Sequence, residues 1–208
     1  MKRLVPTLGT FAAILLTAVT LSGTARADLS EPVILVASPT LDGSPFEQTV
    51  ILATPLGNGA HIGFILNKPT GVKLDALFPD DTAAHDVEDG AYLGGPAMLS
   101  VMFALTQSAP EKPDAAIPLM PGLYAVVDKD AVDHIIRTTP NDARYFLGVM
   151  VWKPGQLANQ VDGGLWDVRP ANADIALRAR SSGLWNSLRG PWVNLELDQL
   201  PGLHTAAG

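Results

Sequence analysis

Gly148-Val149-Met150-Val151-Trp152-Lys153-Pro154-Gly155-Gln156-Leu157-Ala158-Asn159-Gln160-Val161 is the stretch whose reading decides the fold. Together with residues 144–147 it opens as an apolar run rich in β-branched and aromatic side chains, the pattern of a buried strand ending at Trp152. Lys153-Pro154-Gly155 stops that strand. Proline lacks the N–H a ladder needs and fixes φ near the helical value, so it suits a corner or the first turn of a helix. A short helix is expected next, with Leu157 and Val161 on one face and Gln156 and Gln160 on another. Gly163-Gly164 ends it, because glycine accepts the left-handed backbone of a helix terminus.

Outward from this unit the chain is mostly short strands. Val33–Ala37 is an unbroken apolar run, read as a central strand. Residues 48–53 and 62–66 are strands joined by the turn signal Gly57-Asn58-Gly59, most simply an antiparallel hairpin. Residues 101–106 and 122–127 read as strands, and 74–78 as one helical turn. Residues 130–137 read as a helix capped by Asp128 or Asp130, with Val132, Ile135 and Ile136 on one side. Pro110, Pro113 and Pro118 mark 107–118 as a mobile loop. Residues 165–169 and 173–177 are extended candidates, 181–188 a helix, 193–197 an edge strand and 200–208 a tail. Regular strand–helix alternation is absent, which argues against a doubly wound parallel sheet. The expectation is one α+β domain: a mixed, largely antiparallel sheet with a few flanking helices, with a curl towards a barrel as one form it could take.

The first residues have another purpose. Lys2-Arg3, an uncharged apolar stretch and Ala25-Arg26-Ala27 form a charged region, a hydrophobic region and a small-x-small site, the order of a secretory signal peptide. A membrane anchor is the competing reading, but Pro6, Gly9 and several threonines interrupt the run. Residues 1–27 are therefore expected to be a leader cleaved after Ala27, and 28–208 the domain. That places the protein in the periplasm or outside the cell, with no stable membrane insertion after cleavage. The chain has a formal charge of −7; the leader carries Lys2, Arg3 and Arg26 and no acid, so its loss leaves −10. Such a charge opposes direct contact with nucleic acid, which requires Lys and Arg to displace counterions. There are no cysteines, so thiol nucleophiles and zinc-thiolate sites are excluded and the fold must hold without disulfides.

No motif announces a reaction. His61, His85, His134 and His204 lack metal-ligand spacing, and Asp80-Asp81 with Asp86, Glu88 and Asp89 lack the pattern of a calcium loop. Neither glycine cluster has the residues of a phosphate loop, and no serine sits in a nucleophile elbow. No cofactor and no metal are expected. Trp152, Trp166, Trp185 and Trp192 are read as core packing in preference to an aromatic wall of a pocket.

Five stretches in order resemble the YqgE/AlgH family of bacterial proteins. They are Leu35-Val36-Ala37-Ser38-Pro39-Thr40-Leu41-Asp42, Gly59-Ala60-His61-Ile62-Gly63-Phe64-Ile65-Leu66-Asn67-Lys68-Pro69, Gly94-Gly95-Pro96, Pro121-Gly122-Leu123-Tyr124 and the opening stretch from Gly148 to Leu157. Trp166 and Leu184-Trp185 fall where the family also has tryptophans, and the likeness spans residues 33–190. Against the family pattern, Ala158 and Gln160 replace two acids, Val151 replaces a glycine, and Thr54-Pro55-Leu56 replaces an acid and a histidine. A leader is a further departure, since the relatives are read as cytoplasmic. The resemblance implies an α+β, sheet-rich fold and a label of transcriptional regulator, with no settled activity.

The leading expectation is a secreted or periplasmic, non-enzymatic module that binds an unknown protein or small molecule. Ser38, Asn67, Gly94, Gly95, Trp152, Gly155 and Gln156 are its candidate binding positions, each at a strand end or corner; the competing reading is that they only shape turns. A transcriptional regulator acting indirectly is the second reading. A hydrolase using His61 or His134 with an acid is the third.

Overall fold

The computed structural model describes residues 28–177 and 182–189. The leader expected over residues 1–27, the strand expected at 193–197, the tail from 200, Trp192 and His204 lie outside the described residues.

Nine strands, β1 (Val33–Ala37), β2 (Val50–Pro55), β3 (His61–Ile65), β4 (Tyr92–Leu93), β5 (Ala97–Thr106), β6 (Ala116–Met120), β7 (Leu123–Val126), β8 (Ala143–Trp152) and β9 (Trp166–Pro170), form one sheet among the described residues. Its order is β6-β7-β5-β8-β3-β2-β1-β9, antiparallel throughout, with β4 added parallel to β8. The sheet curls into a half-barrel: the Thr54 hydroxyl on β2 donates to the Leu119 carbonyl on β6 at 2.9 Å, although those strands are far apart in the order. β1 is buried at every position and paired on both sides, as its uninterrupted apolar sequence requires. β2 and β3 make the expected hairpin, closed by Gly57, Asn58 and Gly59, all at positive φ.

β8 joins the two halves. Near its C-terminal end Met150 to Trp152 pair with β3, while its N-terminal half pairs with β5. Between them the ladder breaks at Gly148, which has φ +72°. There the Gly94 backbone splices the strands, its carbonyl accepting from Ile65 N at 2.9 Å and its N–H donating to Leu147 O at 2.8 Å. A Cβ on Gly94 would strike the Gly148 carbonyl, and one on Gly95 the Val149–Met150 backbone, so only glycine admits this approach. On the other side β5 pairs at Ala97↔Val149 and resumes at Met102↔Leu147, so three extra residues bulge out. Met98, at φ +53°, and Leu99 are exposed on that bulge.

Among the described residues five α-helices surround the sheet: α1 (Leu74–Leu77), α2 (Lys129–Thr138), α3 (Gln156–Asp162), α4 (Ala173–Leu177) and α5 (Leu184–Arg189). Asp128 caps α2 by accepting from Ala131 N at 3.0 Å, and Val132 and Ile136 pack with Tyr145, Val126 and Leu74. The larger core holds Phe64, Phe103 and Phe146 in edge-on contacts at 5.3 and 5.8 Å, with Leu157 and three tryptophans. Each such ring removes enough apolar surface from water to contribute about 1.5–3 kcal/mol.

Two sequence expectations are corrected. Residues 173–177 form helix α4 in place of an extended segment: Asn172 accepts from Asp174 N at 2.7 Å through its side chain and from Ala176 N through its carbonyl, a helix start that the alternation of apolar residues concealed. The stretch 107–118 is not wholly a loop. Pro113–Ala115 is a 3-10 turn and Ala116–Met120 is β6, at the sheet edge, where Pro118 costs no ladder bond on its open side.

Candidate functional site

The seven candidate positions each have a partner in the scaffold. Ser38 caps the 3-10 turn Pro39–Leu41, and its hydroxyl donates to Gly164 O at 2.6 Å. Asn67 ties β2 to the end of β3, Oδ1 accepting from Val50 N at 2.9 Å and Nδ2 donating to Gln48 O at 2.8 Å. Gly94 and Gly95 form the splice beside Gly148. Gly155, at φ +76°, is the N-cap of α3, and its N–H reaches Gly59 O at 3.2 Å, docking the corner onto the β2–β3 turn. Gln156 accepts from Lys153 N at 3.0 Å through its side chain while its own N–H donates to Lys153 O, closing the Lys153-Pro154-Gly155 corner. Trp152 is buried at the base of α3. Trp152, Gly155 and Gln156 come together at that corner, Ser38 lies beside the far end of α3, and Asn67 and the glycine pair sit at the other end of β3.

The corner contains a node that the spacing only half disclosed. Gln160 Oε1 accepts from Trp152 Nε1 at 2.9 Å and from Trp166 Nε1 at 3.0 Å. Gln160 thus serves both indoles with a single neutral acceptor. Trp185 is satisfied separately, donating to Ala37 O at 2.9 Å. Trp152, Trp166 and Trp185 are all buried, as the packing reading expected.

A second buried polar group, Arg144, belongs to no motif in the sequence. Its guanidinium donates to Leu66 O and Ala176 O, both at 2.7 Å, and lies 4.2 Å from the Tyr92 ring centre. Burial, opposed by Tyr92 and Asp89, pulls its pKa below the usual guanidinium value. A hollow of about 150 Å³ lies beside it, bounded by Asp89, Asp142 and Leu177.

The described histidines, His61, His85 and His134, belong to no group of three or more metal-ligating side chains. His61 opens β3 and is buried; its Nε2 bonds Leu29 O at 2.8 Å, and Nδ1 has no partner among the described residues. His85 is exposed, 3.4 Å from Asp75. Among the described residues no group of three or more His, Asp or Glu is placed to hold a metal ion, and no helix is long and apolar enough to cross a membrane.

His134 has a different setting. It lies on the side of α2 that faces residues 108–112, and between the two walls runs an open groove of about 420 Å³. Ala115, Val126, Ala131 and Ile135 give it an apolar base, while Ser108, Thr138 and Thr139, with Lys112, Asp128 and Asp130, supply polar groups. Its volume falls in the range of small-ligand sites. None of the seven candidate positions lines it. Ala131 and Ile135 lie beside Val132 and Ile136 on one apolar face of α2 and pack against the same core, so the spacing alone does not mark their exposed edge as a groove wall.

A family model described as AlgH-like matches residues 34–190. A UPF0301 protein of Chlorobium phaeobacteroides is 28% identical over 179 residues, covering 82% of this chain and 94% of the relative. A UPF0301 protein of Myxococcus xanthus is 30% identical over 168 residues, covering 78% and 91%. In fold, the chain is similar to a crystal structure from Corynebacterium diphtheriae (TM-score 0.64, 24% identity, 80% of this chain and 90% of that one). It is also similar to the solution structure of the AlgH protein from Pseudomonas aeruginosa (TM-score 0.61, 23% identity, 76% and 85%).

Proposed function

The chain belongs to the AlgH-like family, and from that premise we propose that it is a periplasmic, non-enzymatic binding protein whose ligand lies in the groove between α2 and residues 108–112. The groove is the observation that carries this reading: about 420 Å³, with apolar groups at its base and hydrogen-bonding groups along both walls. The leader pattern supports the compartment. The scaffold bonds of Ser38, Asn67, Gly155 and Gln156 support a division of labour in which the family's turn residues hold the frame and the groove does the binding. A direct regulator of genes would have to bring a chain of charge −10 against duplex DNA, which the counterion balance opposes.

The test is a thermal-shift and NMR titration of the mature chain against metabolites of varied charge. Binding in the groove shifts the amide signals of Ala131, His134 and Ile135 and disappears in Ala131→Trp, which fills it. Ligand-induced shifts confined to the corner around Trp152 and Gln156 would move the site there, and turnover of a test substrate would replace binding by catalysis.

A further inference from the structure

Asn58 is the only asparagine in the chain that precedes a glycine, and the pair closes the β2–β3 hairpin. A side chain on the following residue hinders attack of its backbone nitrogen on the asparagine amide, and glycine has none. Both residues are exposed. Neither the Asn58 side chain nor the Asn58–Gly59 peptide group has a hydrogen-bond partner among the described residues. Other asparagines are held. Asn67 and Asn141 each use both ends of the amide to join separate segments. Asn172 Oδ1 accepts from Asp174 N. Asn159 and Asn186 lie within α3 and α5, whose backbone directs the next N–H along the helix axis.

The backbone of the turn allows the attack. Asn58 has φ +45° and Gly59 φ +81°. Turning the peptide between them over, by opposite changes in Asn58 ψ and Gly59 φ, brings Gly59 N round towards Asn58 Cγ. That flip breaks no hydrogen bond among the described residues and leaves the closing bonds, Leu56 N to Ala60 O and Ala60 N to Gly57 O, in place. Asn58 keeps a positive φ, which turns accept for Gly, Asn and Asp, and Gly59 takes up the other half of the rotation freely. The turn also bears on the frame. Gly59 O accepts from Gly155 N at 3.2 Å, and a Cβ at Gly59 would lie 3.6 Å from that nitrogen, so Gly59 is seated on the α3 corner.

We propose that Asn58 is a modification site of the folded protein, deamidated by water through a succinimide, and that its isoaspartyl product detaches the hairpin from the α3 corner. Gly59 N gives its proton to hydroxide and bonds Asn58 Cγ; the Cγ–Nδ2 bond breaks, and the nitrogen leaves as ammonia with a proton from water. One water then opens the ring. Opening at Cγ leaves aspartate, which changes charge alone. Opening at the backbone carbonyl leaves isoaspartate, whose chain runs through the side-chain carbon and is one methylene longer. That methylene lies directly before Gly59 and displaces the carbonyl that Gly155 N uses.

The test ages the mature chain at mildly alkaline pH, folded and in urea, with peptide mass spectrometry reading each amide and methyl transfer from S-adenosylmethionine by an isoaspartyl methyltransferase marking isoaspartate. In the folded protein Asn58 is expected to convert before any other asparagine, within about a hundredfold of its rate in the unfolded chain, the most that one strained turn residue costs. Asn58→Gln should leave no methyl-accepting site in the hairpin. If that variant does not fold, the folded and unfolded parent still decide the matter. A slower conversion than that limit, or another asparagine converting first, would overturn the site. The second half is read by hydrogen exchange at the Gly155 amide. Exchange should be faster in the isoaspartyl fraction than in the parent, and unchanged in Asn58→Asp, which adds the charge without the methylene. Equal exchange in the isoaspartyl fraction and the parent, or equal acceleration in Asn58→Asp, would overturn the detachment.

Discussion

Replacing Gln160 by alanine tests whether the corner is held by a single acceptor. The side chain removed accepts from two indole N–H groups, at 2.9 and 3.0 Å, whose rings are 1% and 5% exposed. A neutral hydrogen bond contributes about 0.5–1.5 kcal/mol net, and a buried donor left without a partner costs about 1–3 kcal/mol. Two donors lose their acceptor together, but Gln160 itself is only half-buried, so water can reach part of the vacated space. The expected loss is therefore about 2–4 kcal/mol, below the sum of two full penalties. Urea unfolding of the mature chain, followed by tryptophan fluorescence, measures it, and the native emission should shift as Trp152 and Trp166 change surroundings. Gln160→Glu keeps an acceptor of the same reach, now charged, and should be at least as stable as the parent at neutral pH. A loss under about 0.5 kcal/mol in Gln160→Ala would refute the reasoning, because neither indole could then depend on that oxygen.

Other parts of the frame make separate predictions. Gly148→Ala places a Cβ against the Gly95 carbonyl and within 2.7 Å of Ala97 O at φ +72°, and should cost about 3 kcal/mol or more, read as loss of soluble folded protein; a folded variant of near-parental stability would disprove the close approach. Arg144→Met keeps bulk but strands the Leu66 and Ala176 carbonyls, and should lower the unfolding free energy by about 3 kcal/mol, with an unchanged urea midpoint as the contrary result. Burial first, then the Asp142 charge, raises the Tyr145 phenol above its ordinary value of 10.0. Because the folded value is the higher one, its contribution is intact below the unfolded value of about 10 and is lost as pH rises from there through the folded one. Stability measured from about pH 9 to 11 should therefore fall less steeply in Tyr145→Phe than in the parent, and equal slopes would contradict the assignment.

The strand framework was legible where burial imposes one unmistakable pattern. β1 is apolar at every position because both its faces and both its edges are covered, and the sequence marks it at the observed bounds. The corner after Trp152 is legible because Pro154 fixes φ and cannot continue a ladder, and Gly155 admits the left-handed backbone the corner uses. β6 was hidden by Pro118, whose cost vanishes at an edge, and edges are a property of the assembled sheet. The bulge at Gly148 was hidden because a glycine in an apolar run reads as a weak strand residue until the Gly94-Gly95 backbone is placed against it. Ser38, Asn67 and Gln156 make the turn and strand-end bonds that their sequence positions imply. The groove escaped notice because its walls, 108–112 and α2, are separated in sequence and meet only through the β5–β7 and β5–β8 pairings. Gln160 was read as the loss of a charge, while the hydrogen-bond geometry depends on the oxygen it retains.

The binding account is tested most directly by native mass spectrometry of the protein released from the periplasm, beside Ala131→Trp prepared in the same way. The account predicts a polypeptide beginning at Asp28 that carries a small molecule, released on denaturation, while the variant has the same N-terminus and carries none. A full-length polypeptide found only in the cytoplasm, or the same small molecule retained by both proteins, would contradict it.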